Sequence, residues 1–311
     1  MTKELIGLVY KSTGSWYSVQ MADKRFLSCR VRGKLKIAGL KTTNPIAVGD
    51  RVTVVEDPHH EGTGVITEVQ PRQNVVMRRS VQRSEHSHLL AANIDQAILM
   101  VTIKHPRTSF GFIDRFCVST DAYRIPTALI INKIDLHNKQ DKQKLREIQA
   151  IYEPLNIRCL PVSVREEENL EAVEEVLKDK LTLLAGHSGT GKSTLLNYLH
   201  PEINQAVNEV STFANKGVHT TTFAEMFQLP FGGQVIDTPG IKELGLIEIG
   251  DHELADYFPE MRALLGACKF NNCSHTHEPK CAVRQAVEEG KITVQRYKSY
   301  LSMLENEDSR R

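Results

Sequence analysis

Eight consecutive residues, Gly186-His187-Ser188-Gly189-Thr190-Gly191-Lys192-Ser193, fit G-x-x-x-x-G-K-[ST] and run on into Thr194. That spacing is suited to phosphate. The glycines let backbone N–H groups close around phosphate oxygens, and a helix opening behind them adds partial positive charge. Lys192 is placed to reach the β- and γ-phosphates, and the Ser193 hydroxyl to ligate Mg²⁺. About 45 residues on, Asp237-Thr238-Pro239-Gly240 follows the apolar run 234–236. A carboxylate at a strand end there holds Mg²⁺ through water, and Gly240 brings a backbone N–H to the γ-phosphate.

A second constellation reads the base. Asn132-Lys133-Ile134-Asp135 closes the apolar run 127–131. A carboxylate at Asp135 accepts two hydrogen bonds, from N1–H and the exocyclic amine of guanine. Adenine offers no such pair, so Asp135 selects GTP over ATP. Asn132 braces this loop against the phosphate loop, and the stem of Lys133 lies on the base. Ser163, after a strand at 157–161, brings the next loop's N–H to guanine O6. Taken alone, the Asn132–Asp135 pattern also reads as a capped turn.

Hydrolysis needs a group to orient water, and many GTPases place Gln directly after D-x-x-G. Here that position is Ile241. The run Lys216-Gly217-Val218-His219-Thr220-Thr221-Thr222 offers substitutes. Either Thr220 or Thr221 completes the Mg²⁺ shell, and His219 beside them is the candidate for orienting water. A surface histidine with no role reads equally well there.

Cys268, Cys273, His275 and Cys281 fall within fourteen residues. Cys₃His is a tetrahedral zinc set with no open position, so its role is structural. His277 competes for the place of His275. Cys29, Cys117 and Cys159 lie in apolar runs and read as core.

The elements that position these groups follow from pattern. Short Val-, Ile- and aromatic-rich runs at 6–10, 16–21, 26–30, 51–56 and 64–69, separated by glycine turns, predict a small β-barrel. An OB-fold is the first expectation; an SH3-like barrel fits the same pattern. Trp16, Tyr17 and Phe26 are either RNA-stacking residues or barrel core. Residues 73–88, with Arg78, Arg79, Arg83, His86 and His88, read as a basic linker. Apolar runs at 96–103, 127–131, 157–161 and 181–185, alternating with helical segments at 112–123, 142–152 and 170–178, predict an α/β domain on a mostly parallel sheet. Helical spacing at 254–265, 282–289 and 294–304 flanks the cysteines. The expected division is 1–72 barrel, 73–88 linker, 89–243 nucleotide-binding domain and 244–311 helical zinc-binding domain.

Composition bounds the rest. Hydrophobic residues make 41% and charged residues 25% of 311, which excludes a disordered chain. No apolar run reaches the ~18 residues of a membrane-spanning helix. The opening residues lack a secretory signal, so a cytoplasmic location is expected, where disulfides are rare. Net charge is +1, but residues 1–85 carry 14 Lys/Arg against 8 Asp/Glu, which suits an anionic partner or an ordinary solvated surface. No long heptad suggests more than a monomer.

The motif order is unusual. The base motif and Ser163 precede the phosphate loop, and Asp237–Gly240 comes last: a circular permutation of the ordinary order. Together with the basic barrel, the Lys216–Thr222 run and the Cys/His cluster, the chain resembles the RsgA (YjeQ) family of bacterial ribosome-biogenesis GTPases over essentially its whole length. The resemblance implies an OB-fold, a permuted GTPase domain and a zinc domain holding Cys268, Cys273, His275 and Cys281. It further implies GTP/GDP, Mg²⁺ and one structural Zn²⁺, and binding to the small (30S) ribosomal subunit and its rRNA late in assembly, with the subunit stimulating hydrolysis. Two other readings stand beside it. Ile241 allows a GTP-dependent RNA-binding scaffold with negligible turnover. A phosphate loop alone also permits an ATP-dependent enzyme, against which Asp135 argues.

Overall fold

A computed structural model of the chain describes residues 4–33, 45–79, 87–201, 224–237, 249–250 and 252–305. The first five strands are β1 (Glu4–Ser12), β2 (Tyr17–Met21), β3 (Phe26–Val31), β4 (Arg51–Glu56) and β5 (Thr63–Val69). They pair in the order β1-β2-β3-β5-β4, and β4 returns to β1, so the sheet closes. Only β3–β5 is parallel within it. This closure is the OB-fold that the turn spacing predicted. Alternation along β2 sends Tyr17, Val19 and Met21 inward, where they meet Leu27, Cys29, Val52 and Ile66.

Where composition reads as a linker, the chain forms a two-stranded antiparallel ribbon, β6 (Val75–Arg79) with β7 (Ser87–Ala92). The reason is burial: Val76 and Ala91 join the core of the next domain. The Met77 backbone N–H also donates to the Tyr123 hydroxyl at 3.2 Å.

The central domain carries β8 (Gln96–Thr102), β9 (Thr127–Asn132), β10 (Arg158–Pro161), β11 (Leu181–Gly186), β12 (Glu225–Gln228) and β13 (Gln234–Asp237). Their order is β10-β9-β8-β11-β13-β12, parallel except for the β12–β13 pair. Strands buried on both faces read as continuous apolar runs. In β8, Ala97, Leu99 and Val101 face α1 (Phe110–Ala122) and α2 (Lys139–Tyr152). Ile98 and Met100 face α3 (Leu170–Leu177) and α4 (Lys192–Leu199). Ser109 caps α1 and a reciprocal Asn138–Asp141 box caps α2, so both helices start earlier than apolar spacing indicates. The edge strand β12, not evident from spacing, pairs with β1 of the barrel through Lys11 and Glu225.

Residues 254–265 do not form the single helix their spacing suggests. A 3₁₀ turn (Leu254–Tyr257) stops at Phe258, and α5 (Pro259–Arg262) begins anew. Pro259 has no N–H to donate and excludes helical backbone at Phe258. Two further helices follow, α6 (Ala282–Glu288) and α7 (Val294–Leu304).

This third core docks on α1, whose Val118 packs into it. The joint centres on Arg296, 1% exposed, which donates to Asp114 at 2.7 Å and to Glu260 at 2.6 and 3.1 Å. Burial opposes the Arg296 charge, and the two carboxylates more than offset it, so its pKa is raised. Burial pushes Asp114 up, and Arg296 pulls it back. Arg296→Ala strands the buried Asp114 and is expected to cost about 3–5 kcal/mol, read from the urea midpoint. Arg158→Ala, at an exposed pair with Glu175, leaves that midpoint unmoved.

Candidate functional site

Strands β8, β9, β10, β11 and β13 run in one direction, so the segments after their carboxyl ends meet on one side of the sheet, where α/β folds bind ligands. The phosphate-loop sequence sits there between β11 and α4. Gly191 precedes the helix at φ +103°, a left-handed backbone, and a Cβ on it would press into the Asn132 amide. The Asn132 Nδ2 donates to the Thr190 carbonyl at 2.8 Å, while its Oδ1 accepts from the Val164 N–H at 3.0 Å. Lys133, at φ +69°, sends its Nζ to the Gly189 carbonyl at 2.8 Å and the His105 carbonyl at 2.5 Å. The Ser163 hydroxyl donates to Asp135 Oδ1 at 2.7 Å. Ser163 thus orients the carboxylate, and its own N–H is spent on the Glu168 carbonyl at 3.2 Å. Ile134 opens the short 3₁₀ turn that presents Asp135. Three stretches distant in sequence converge on one loop.

Lys192 folds over the phosphate loop and donates to the Gly186 and His187 carbonyls at 2.5 and 3.1 Å. The Thr190 hydroxyl, fully buried, also donates to His187 at 2.8 Å. Ser188 and Gly189 lie exposed at the loop tip, and Ser193 and Thr194 are exposed in the first turn of α4. Asp237 ends β13. Its Oδ1 is buried and, among the described residues, meets no hydrogen-bond donor. Burial raises its pKa and lowers that of Lys192, each partly offset by the other's charge. An unpaired carboxylate oxygen beside a phosphate loop fits a divalent cation. Gly240, His219, Thr220, Thr221 and Ile241 lie outside the described residues.

Comparison with known proteins decides what this arrangement is. The model of the RsgA GTPase family matches residues 69–247, and that of the RsgA N-terminal domain matches 6–66. The chain belongs to the RsgA GTPase family. It is 46% identical to small ribosomal subunit biogenesis GTPase RsgA 2 of Bacteroides thetaiotaomicron, over 97% of each chain. Against RsgA of Cytophaga hutchinsonii it is 47% identical, over 98% of this chain and 99% of the relative. The crystal structure of YjeQ from Thermotoga maritima superimposes with TM-score 0.79 at 35% identity, covering 99% of this chain and all of that one. YloQ, a circularly permuted GTPase, gives 0.73 at 28% identity, covering 99% and 96%. The chain is a GTP-hydrolysing P-loop GTPase.

In this RsgA-family chain the C-terminal cluster is also assembled. The ligand atoms of Cys268, Cys273, His275 and Cys281 all lie within 4.8 Å of one another. Cys268 Sγ is 3.6 Å from His275 Nδ1 and 4.0 Å from Cys281 Sγ, and His275 Nδ1 is 3.3 Å from Cys281 Sγ. These are edges of a tetrahedron of the size zinc–thiolate bonds make. His277 is exposed and turned to Thr276, and it is His275 that stands among the three thiols. Backbone N–H groups of Ala282 and Arg284 aim at the Cys268 and Cys281 sulfurs. Glu278 holds the loop: its carboxylate accepts from the Ser274 hydroxyl at 2.6 Å and from the Ser274, Thr276 and His277 N–H groups. Spacing did not single out Glu278, nor Val164, because each acts through backbone contacts that carry no pattern. Elemental analysis is expected to give one zinc per chain, and Cys281→Ser to lose it together with the thermal stability of the C-terminal helices.

Proposed function

We propose that this chain couples GTP hydrolysis to late assembly of the small ribosomal subunit, binding the 30S particle and its rRNA and being stimulated by it. The observation that carries the reading is the Asp135 carboxylate, held by Ser163 next to a phosphate loop, in a chain that matches small-subunit biogenesis GTPases end to end. Asp135 accepts from guanine N1–H and the exocyclic amine. Asn132 and Lys133 hold the base loop against the phosphate loop, and Ile134 sets the turn between them. Residues Gly186 to Thr194 enclose the β- and γ-phosphates, with Lys192 moving from the loop carbonyls to phosphate oxygens. Ser193, Asp237 and one of Thr220 and Thr221 hold Mg²⁺, which when bound neutralises charge on those phosphates. Gly240 offers its N–H to the γ-phosphate. His219 orients the attacking water, whose oxygen bonds to the γ-phosphorus as the bond to the β–γ bridging oxygen breaks, giving GDP and phosphate.

Residues 1–72 serve as the rRNA-binding barrel, 73–88 as a basic connection, 89–243 as the permuted GTPase and 244–311 as the zinc domain. Arg30 lies over the Trp16 ring at 3.9 Å, Trp16 is 38% exposed and Phe26 50% exposed, whereas Tyr17 is core. Exposed aromatics beside cations suit stacking on bases. The protein acts as a cytoplasmic monomer. Among the described residues no helix is long and apolar enough to cross a membrane.

GTP turnover titrated with purified small subunits at two salt concentrations tests the reading. Stimulation that weakens at the higher salt is expected. Turnover that ignores the subunit favours the scaffold that Ile241 allows. Asp135→Asn is expected to lose about 100-fold or more in GTP affinity and to gain xanthosine triphosphate, whose base accepts where guanine donates. His219→Ala lowers stimulated turnover by about 100-fold with GTP affinity kept. Acid acts through Asp237. Its raised pKa keeps the neutral form to higher pH than the ordinary ~3.9, so Mg²⁺-dependent GTP binding fades on acidification from above that value. Asp237→Asn abolishes that limb.

A further inference from the structure

The phosphate loop is held from a side its own motif does not specify. The His187 carbonyl is a hub: it accepts from the Thr190 N–H at 3.3 Å, the Thr190 hydroxyl at 2.8 Å and the Lys192 Nζ at 3.1 Å. Three glycines of this loop, Gly186, Gly189 and Gly191, have positive φ, so the backbone here is intrinsically permissive. The side chain of this hub residue reaches out of the loop toward α1. Its ring lies on Phe112 with centroids 3.8 Å apart and planes at 31°. Phe112 sits in the first turn of α1, a helix tied to its surroundings at two further points. Two residues on, Asp114 is locked to Arg296 at 2.7 Å and to the Tyr152 hydroxyl at 2.6 Å. Near its other end, Asp121 accepts from Arg262 at 2.7 Å. The segment leading into α1 meets the loop again through Lys133, whose Nζ donates to the carbonyls of both His105 and Gly189.

We propose that Phe112 is a positioning residue for the nucleotide phosphates, fixing the phosphate loop through His187 from a helix clamped to the C-terminal domain. The proposal rests on a guanine nucleotide occupying that loop. Phe112 touches no phosphate itself. It sets where the His187 carbonyl points, and hence where Lys192 and the loop N–H groups stand before nucleotide arrives. Pre-set donors spare the loop the ordering that binding otherwise requires.

The test is affinity for a fluorescent GDP analogue, with steady-state turnover alongside, in the full chain. Phe112→Leu keeps an apolar side chain on α1 and removes the ring. It and His187→Ala are each expected to weaken binding about tenfold and to raise KM, and Phe112→Leu keeps kcat at saturating GTP within about twofold. The double variant is expected to be no worse than the weaker single, because both remove one contact. Phe112→Tyr keeps wild-type affinity. Wild-type affinity in either single variant overturns the proposal, as do losses that multiply to about 100-fold in the double. Should Phe112→Leu not fold, His187→Phe decides: an aromatic ring at 187 restores the affinity that His187→Ala loses, and failure to restore it overturns the proposal. If the wild-type chain takes up no analogue at all, the nucleotide site is what fails.

Discussion

One amide joins the loop after β9 to the glycine-rich loop after β11. Asn132 stands at the tip of β9, and its side chain spans to Thr190 of the phosphate loop, 58 residues away along the chain, and to Val164 beyond β10. Both its donor and its acceptor are used, and it is 3% exposed. A buried amide hydrogen-bonded through both its nitrogen and its oxygen is held in one pose. The loop after β9 is therefore tied to the loop after β11. In a permuted chain this matters, because β9 is made before β11. The apolar faces of β8, lying between β9 and β11, bring the two tips to the spacing at which the amide closes.

Around that pocket the three cores are joined by contacts of different kinds. The barrel meets the central domain through backbone pairing, with Lys11–Glu225 at 3.0 Å and the Tyr10 hydroxyl donating to Gln228 at 3.0 Å. Tyr10 itself is counted in the central core. At the base of the barrel, Gly49 at φ +90° lets the chain rest on the Ala92 carbonyl, and buried Asp50 is gripped by two nitrogens of Arg72. The C-terminal domain meets α1 through the charged knot around Arg296. Such a knot adds little net stability over an apolar joint, but it tolerates only one orientation of the two bodies.

Much of this was legible in the sequence because it depends on local spacing. Glycine turns between β-rich runs gave the barrel, continuous apolar runs gave the parallel strands, and motifs of fixed length picked out segments that the fold brings together at 132–135 and 186–193 and at the Cys/His cluster. What stayed hidden depends on partners far along the chain. The ribbon at 75–92 hides because its apolar faces are short and flanked by arginines. The break before Pro259 was signalled by the proline, but helical periodicity on both sides of it masked the interruption. Phe112 and Arg296 look like ordinary core and surface residues until α1 is seen between the phosphate loop and α7.

The sheet that runs unbroken from β10 through β12 into the barrel has a bearing on how the protein can be divided. Excising residues 1–72 would remove the Lys11–Glu225 pairing that joins β1 to β12 and the Tyr10 side chain that belongs to the central core, leaving the outer edge of β12 without that partner. An unprotected edge of that kind recruits other strands, so a truncated GTPase domain is prone to self-association unless a charge is placed on β12.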